Sequence, residues 1–433
     1  MQKKLGLFTL TSLVAGNMVG SGIFMLPASL ARVGSISLLS WIFTISGAIL
    51  LALVFSRMSL LVPKAGGPYA YARAGFGNFI GFQTACIYWI AVWLGNCSVA
   101  LALVGYLRFF FPVLAYPLAS TSAAIAFIWL FTWINIRGVY FVGIIQLVTT
   151  ILKLIPLLLI GIFGWFYFHP DYITHAFNVT HKSNFSAFSY AATLIFWAFV
   201  GLESATVPAD AVHNPKRDIP LATLLGTLIA AVVYLVSASA IMGVLPAGVI
   251  ADSSSPFAAA AQAMFGGWGG IVVAAGVVIS CLGGLNGWIL VQGHVSMAIA
   301  DDKFFPQIFA KRNRANVPAA GMIITGICMT LALLATMSPS LVEQFQLLIT
   351  IVSVTSLMAY FYTAIASIIL TQRGQYARIK HMSYMALAFL AALYAFWAMF
   401  GAGKEMMFYV SMMIFITALL YILNKNRNIV NHE

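Results

Sequence analysis

The sequence predicts an all-α polytopic membrane protein of 12 transmembrane helices, and three observations carry that prediction. Of 433 residues, 62% are hydrophobic and only 7% charged, with a mean hydropathy of +0.98; a soluble domain carries roughly 25% charged residues. Apolar runs of about 20 residues, enough to cross a ~30 Å hydrocarbon core, recur along the whole chain. The positive residues fall in the links between those runs, and unequally on the two sides.

The spans fall near 7–30, 36–60, 79–107, 117–136, 140–168, 187–212, 220–245, 268–298, 318–337, 344–371, 381–400 and 405–424. Taken in order, the odd-to-even links carry Arg32, Arg108, Lys182 and Lys404. The even-to-odd links, the span ends beside them and the two termini carry Lys3-Lys4, Arg57, Lys64, Arg73, Arg137, Lys216-Arg217, Lys303, Lys311, Arg312, Arg314, Arg373, Arg378, Lys380, Lys425 and Arg427. The positive-inside rule therefore places both termini in the cytoplasm. Lys3-Lys4 before an apolar run imitates a signal peptide, but the run is long, contains Asn17 and is followed at once by further spans. The expectation is one membrane domain, 1–433, with no soluble domain around or within it. The outer link 169–186 is too short to fold alone, and the inner link 299–317 is read either as a short amphipathic surface helix or as an ordinary loop.

The net charge of +12 does not point to nucleic acid, because no basic run is long enough. The four cysteines, Cys86, Cys97, Cys281 and Cys328, lie within spans and read as buried thiols without metal spacing or a disulfide framework. No hydrolytic triad, phosphate-cradling loop or metal cluster is present, so no cofactor and no enzymatic activity are expected.

Two spans are interrupted. In the first, Gly16-Asn17-Met18-Val19-Gly20-Ser21-Gly22-Ile23-Phe24 breaks an apolar run. Lipid offers backbone amides no partners, so a glycine-rich break in mid-span makes sense where freed backbone faces a cavity and grips a solute. The half-helix beginning after Gly20-Ser21-Gly22 would present unpaired N–H groups to a carboxylate, and the carbonyls before it would suit an ammonium. The alternative is close helix packing through Gly16 and Gly20, four residues apart. The sixth span holds Thr193-Leu194-Ile195-Phe196-Trp197-Ala198-Phe199-Val200-Gly201-Leu202-Glu203-Ser204-Ala205, apolar but for one carboxylate. Five spans separate the two interruptions, the spacing of two five-helix repeats of opposite orientation.

Glu203 is costly in mid-span, by about 2.5–3.5 kcal/mol on insertion scales, and so is expected to face the interior. It is a candidate to carry a proton, sense pH or pair with a cation; the alternative is a structural hydrogen bond to a neighbouring helix. Asp210, further along, reads as an interfacial or gate residue. Lys153 is the one lysine or arginine well inside a span. It either exchanges a proton during transport, replaces a bound metal cation, or extends its ammonium to the membrane surface. Tyr88, Trp93, Trp197, Trp288 and Tyr360 are candidate cation-facing rings, with plain packing as the alternative. Trp288 lies beside glycines in Gly283-Gly284-Leu285-Asn286-Gly287-Trp288, and Asn96 adds a mid-span amide.

These segments, with Gly66-Gly67-Pro68-Tyr69-Ala70-Tyr71-Ala72-Arg73, Asn214-Pro215-Lys216-Arg217-Asp218-Ile219-Pro220 and Ala300-Asp301-Asp302-Lys303-Phe304-Phe305-Pro306, resemble the amino acid–polyamine–organocation superfamily. Over nearly the whole chain the likeness is to its bacterial basic amino acid/polyamine antiporters, and within them to arginine–agmatine antiporters. The resemblance implies a LeuT-type 5+5 inverted repeat with broken helices 1 and 6: 7–168 as the first repeat, 187–371 as the second, and 381–424 as two additional helices. It implies a homodimer in the bacterial inner membrane that exchanges a cationic amino acid for its decarboxylated amine, in the service of acid resistance. Asn17, Met18, Ser21 and Gly22 would hold the substrate carboxylate, and carbonyls around Trp197, Ala198 and Val200 its α-ammonium. Trp197 would cover the substrate, Trp288 would stack on its cationic tip, and Ala91 and Asn96 would line the side-chain pocket. Tyr88, Glu203 and Tyr360 would form an inner gate. The chain departs from that subgroup at Lys153, which resembles the lysine of proton-coupled carriers with cationic or neutral substrates, and at Val92 and Val352 in the pocket. A proton-coupled permease using Lys153 is therefore the second expectation.

Overall fold

The computed structural model describes residues 6–19, 22–64, 66–138, 140–206, 212–373 and 381–430. These are helices and turns, with no strand among the described residues. In chain order the helices are α1 (Leu7–Met18), α2 (Gly22–Ala31), α3 (Ser37–Leu61), α4 (Pro68–Phe76), α5 (Asn78–Leu107), α6 (Pro117–Ile136), α7 (Tyr140–Phe163), α8 (Pro170–Thr174) and α9 (Asn184–Phe196). They continue as α10 (Pro215–Val244), α11 (Ala247–Asp252), α12 (Pro256–Phe265), α13 (Gly267–Asp301), α14 (Ala319–Ala335), α15 (Leu341–Gln372), α16 (His381–Phe400) and α17 (Lys404–Val430).

Among the described residues, 10 helical segments are long and apolar enough to cross a bilayer, counting Leu7–Ala31 as one. Two shorter apolar helices, Leu152–Tyr167 and Ala319–Ala335, fall where the fifth and ninth spans are expected. The chain is thus a multi-pass membrane protein. Of the two readings of 299–317, the structure shows the loop: α13 runs on to Asp301, and turns with a short 3-10 segment, Gln307–Phe309, complete the link. The link 246–267 instead holds α11 and α12, which hydropathy alone does not reveal because neither is long enough to span.

Both interruptions are real breaks in helical backbone. The α1 ladder closes with Val19 N–H on the carbonyl of Ala15 at 2.7 Å. Val19 then leaves helical geometry (φ −72°, ψ 61°), and the next described residue, Gly22, opens α2. The second break begins after Phe196 with one 3-10 turn, Trp197–Phe199. Val200 is extended (φ −64°, ψ 126°), and Gly201 has φ +111°, a conformation that glycine alone adopts at no steric cost. A second 3-10 turn, Ser204–Thr206, follows.

Helices in lipid gain nothing from excluding water against one another, so packing depends on close approach. Gly226 of α10 lets α1 come so near that a Cβ there would stand 2.7 Å from the Cβ of Val14. α3, α5, α10, α13 and α15 surround the two broken spans, and the side chains at the breaks are almost wholly buried. α17 lies outermost, with Phe408, Phe415, Leu419 and Leu423 exposed. Cys86, Cys97 and Cys281 are buried and free, and Cys328 is half-buried.

Candidate functional site

The two breaks meet. Asn17, in the last turn of α1, donates its side-chain amide to Ser204 Oγ at 2.9 Å. The backbone of Gly201 lies against the same asparagine: a Cβ on Gly201 would stand 3.5 Å from the Cβ of Asn17 and 3.1 Å from the Trp288 ring. Trp288, from α13, donates its indole N–H to the carbonyl oxygen of Asn17 at 3.2 Å. That carbonyl lies in the last turn of α1. Trp197 opens the second break, and its ring tip would stand 3.3 Å from a Cβ on Gly95 of α5, next to Asn96. The Trp197 indole N–H is buried without an acceptor among the described residues.

Glu203 is completely buried and held from three directions. Tyr88 of α5 donates its hydroxyl to Oε1 at 2.7 Å. Tyr360 of α15 donates to Oε2, and the Gly201 N–H donates to the same oxygen at 3.0 Å. Both tyrosines are fully buried; Tyr360 is wedged edge-on between Phe55, at 4.8 Å, and Phe196, at 5.6 Å, centroid to centroid. A carboxylate is acceptor-only when ionised, so three donors match it well. The three residues that the resemblance assigns to one gate are therefore joined in a single network that ties α5 and α15 to the second break.

Lys153 of α7 is also fully buried, and its ammonium donates to the carbonyl of Gly16 at 3.1 Å. It does not reach for the membrane surface but contacts the last turn of α1, just before the first break. Met18, Ala91, Ala198 and Val200 are all buried around the breaks. Gly22 opens α2, whose first-turn amides have no intrahelical acceptor. Gly20, Ser21 and Asp210 lie outside the described residues.

Sequence reasoning passed over three polar contacts. Ser204 adjoins Glu203 and serves as the acceptor for Asn17. Asn135 of α6 donates to Asn286 Oδ1 of α13 at 2.9 Å, both fully buried. Asn96 donates to Gln292 Oε1 at 2.8 Å, again with both buried. Gln292 stands one helical turn after Trp288, a spacing that puts both on one face; that was the available signal. Away from the breaks, two motifs of the resemblance meet. Arg73 of α4 pairs with Asp302 at 2.7 Å and lies 4.8 Å over the ring of Phe304, pinning α4 to the end of α13.

Interrupted helices that face each other within the bilayer, with unwound backbone between them, are how secondary transporters hold a solute. This arrangement places the chain among membrane transport proteins rather than enzymes. A family profile described as amino acid permease matches residues 5–423. A cadaverine/lysine antiporter from Escherichia coli (strain K12) is 36% identical over 407 residues, 93% of this chain and 90% of that protein. The putrescine transporter PotE of the same strain is 35% identical over 418 residues, 96% of this chain and 95% of that protein. PotE of Haemophilus influenzae is 36% identical over 418 residues, 96% of each. The chain belongs to the amino acid permease family, in its basic amino acid/polyamine antiporter branch.

Proposed function

We propose that the chain exchanges a cationic amino acid for its decarboxylated amine by alternating access across the bacterial inner membrane. The observation that carries this reading is the meeting of the two breaks at Asn17, Gly201 and Ser204 beneath the Trp288 ring. A zwitterionic head needs acceptors for its ammonium and donors for its carboxylate. The end of α1 and the extended Val200–Gly201 segment supply carbonyls, and the start of α2 with Asn17 supplies donors, to which the resemblance would add Ser21. Trp197 and Trp288 take the substrate's side chain, and Tyr88, Glu203 and Tyr360 close the site on one side. Twelve spans arranged as inverted repeats, 7–168 and 187–371, with 381–424 added, fit the positions of the breaks. The resemblance adds a homodimer as the expected assembly.

The arginine–agmatine pair is one member of the substrate class. The relatives' names, cadaverine/lysine and putrescine, support widening it to lysine, ornithine and their diamines. The test is exchange in proteoliposomes: labelled basic amino acid outside, with the candidate amine inside. Uptake that requires the internal amine supports the exchanger; equal uptake into empty vesicles removes it.

One contact favours a second reading. Lys153 holds the carbonyl of Gly16 beside the break, so proton exchange at that ammonium would be felt at the substrate site. In a proton-coupled permease, an inward proton gradient alone would drive accumulation into vesicles without counter-substrate, and Lys153→Ala would abolish it.

A further inference from the structure

The seam between α3 and α16 holds a groove on the outside of the bundle, apart from the two breaks. It encloses about 510 Å³, within the range of about 300–1,000 Å³ that takes a small organic ligand. Phe43, Leu50, Leu390, Tyr394 and Trp397 line it from the two helices, and Phe188 closes it from α9. No charged side chain stands in its walls among the described residues, and the Ser46 hydroxyl is turned to the Ile42 carbonyl at 2.9 Å. The hollow has a cause in the sequence: Gly47 lacks a side chain, and the Tyr394 ring sinks against α3 where a Cβ would collide with it. Its floor is stiff, because the Phe43 ring meets the rings of Trp397 at 4.7 Å, Tyr394 at 5.4 Å and Phe188 at 5.5 Å, centroid to centroid. It opens outward past Leu390 and Leu393, each half exposed.

Toward the other end of the same seam, Arg57 of α3 lies over the Tyr384 ring of α16, 5.5 Å from its centroid. Arg57 Nε is buried, and no acceptor meets it among the described residues. None of the ion pairs there involves it. A cation within a span is costly unless a counter-charge or the headgroup layer meets it. A guanidinium matches phosphate oxygens with two parallel N–H donors. Arg57 stands at the end of α3 that the positive-inside count assigns to the cytoplasm. From Arg57 to Ser46 the helix rises about 16 Å, close to half of a ~30 Å hydrocarbon core, which is the depth one acyl chain covers. We propose that the seam binds one anionic phospholipid of the cytoplasmic leaflet, its phosphate on Arg57 and one acyl chain in the groove. Lipid that merely coats an apolar surface needs neither a hollow nor an unmatched cation. The groove wall also reaches the second break: Tyr394 meets Phe196 at 6.4 Å, Phe196 meets Tyr360 at 5.6 Å, and Tyr360 bonds Glu203. A chain held against Tyr394 therefore steadies the elements that carry the Glu203 network.

The test uses the purified full-length chain, stripped of lipid in detergent. Phosphatidylglycerol is expected to raise its melting temperature clearly more than phosphatidylcholine of the same chains, and native mass spectrometry to show one tightly held molecule. Arg57→Gln should remove the preference between the two lipids. Ser46→Trp fills the groove from an exposed position and should weaken retention of phosphatidylglycerol about tenfold. Size-exclusion profiles matching wild type show that both variants fold. If wild type has no preference, or either variant behaves as wild type, the proposal falls. It falls as well if inorganic phosphate alone reproduces the shift, which would make Arg57 a site for free anions. Loss of retention in Lys182→Gln or Lys404→Gln, with Arg57→Gln unaffected, would place the lipid in the opposite leaflet and overturn it too. Each of these readouts is independent of which solute the chain carries.

Discussion

Lys153 and Gly16 are separated by 137 positions in the chain, yet the lysine ammonium donates directly to the glycine carbonyl at 3.1 Å. The carbonyl belongs to the last turn of α1, whose own ladder ends two residues later. A hydrogen bond from a charged donor is worth about 1.5–3 kcal/mol, more than an ordinary one. Lys153 thus ties α7 to the last turn of α1, beside the first break. Lys153→Ala is expected to lower thermal stability in detergent and to slow exchange at least tenfold. Lys153→Arg should not restore it, because a planar guanidinium does not fit the space of an ammonium. Normal exchange by Lys153→Ala in proteoliposomes would mean that the bond is incidental to the cycle.

Glu203 links three elements through the hydroxyls of Tyr88 and Tyr360 and the N–H of Gly201. Glu203→Gln keeps the shape of the side chain but removes its charge and its proton exchange, so the pH dependence of transport should flatten. A profile of unchanged shape would assign the titrating group elsewhere. Because both tyrosines bond one carboxylate, Tyr88→Phe and Tyr360→Phe should be non-additive in stability, with a coupling of about 0.5–3 kcal/mol in a double-mutant cycle.

Much of this site was legible in the sequence because membrane chemistry penalises what it contains. Glycines in mid-span, a carboxylate at Glu203 and an ammonium at Lys153 each violate the economy of an apolar helix, and each marks a place where backbone or charge has an interior partner. The partners themselves were not legible. Ser204 and Gln292 are ordinary residues until the fold brings them beside Asn17 and Asn96, and the latter pair is 196 positions apart. Tyr88 and Tyr360 were placed by resemblance, since nothing local distinguishes them from the other tyrosines. α11 and α12 escaped notice for a different reason: they pack on α2 and α13 without spanning, so neither length nor hydropathy announces them.

Gly226 faces Val14, and a Cβ there would stand 2.7 Å from Val14 Cβ and Cγ1 and 3.2 Å from the Ala15 amide nitrogen. These are backbone-proximal atoms that cannot swing aside. Gly226→Leu should therefore push α10 off α1, with an overpacking cost of about 1–3 kcal/mol. The expected result is a lower melting temperature with a loss of substrate-induced stabilisation, since α1 carries Asn17. Full thermal shift by substrate in the variant would show that α1 keeps its place without this contact.

Trp288 combines two roles that a single substitution separates. Its N–H anchors the Asn17 carbonyl, and its ring covers Gly201 at the second break. A cation stacked on an indole out of water gains about 2 kcal/mol, which is roughly thirtyfold in affinity. Trp288→Leu removes both the ring and the N–H, and should weaken binding of a basic amino acid by about that factor. Trp288→Phe retains a ring without the donor. If stacking dominates, Trp288→Phe recovers most of the affinity; if anchoring of Asn17 dominates, it binds as poorly as the leucine variant. Isothermal titration of the purified protein distinguishes the two, and an unchanged dissociation constant in Trp288→Leu would exclude the tryptophan from the substrate site altogether.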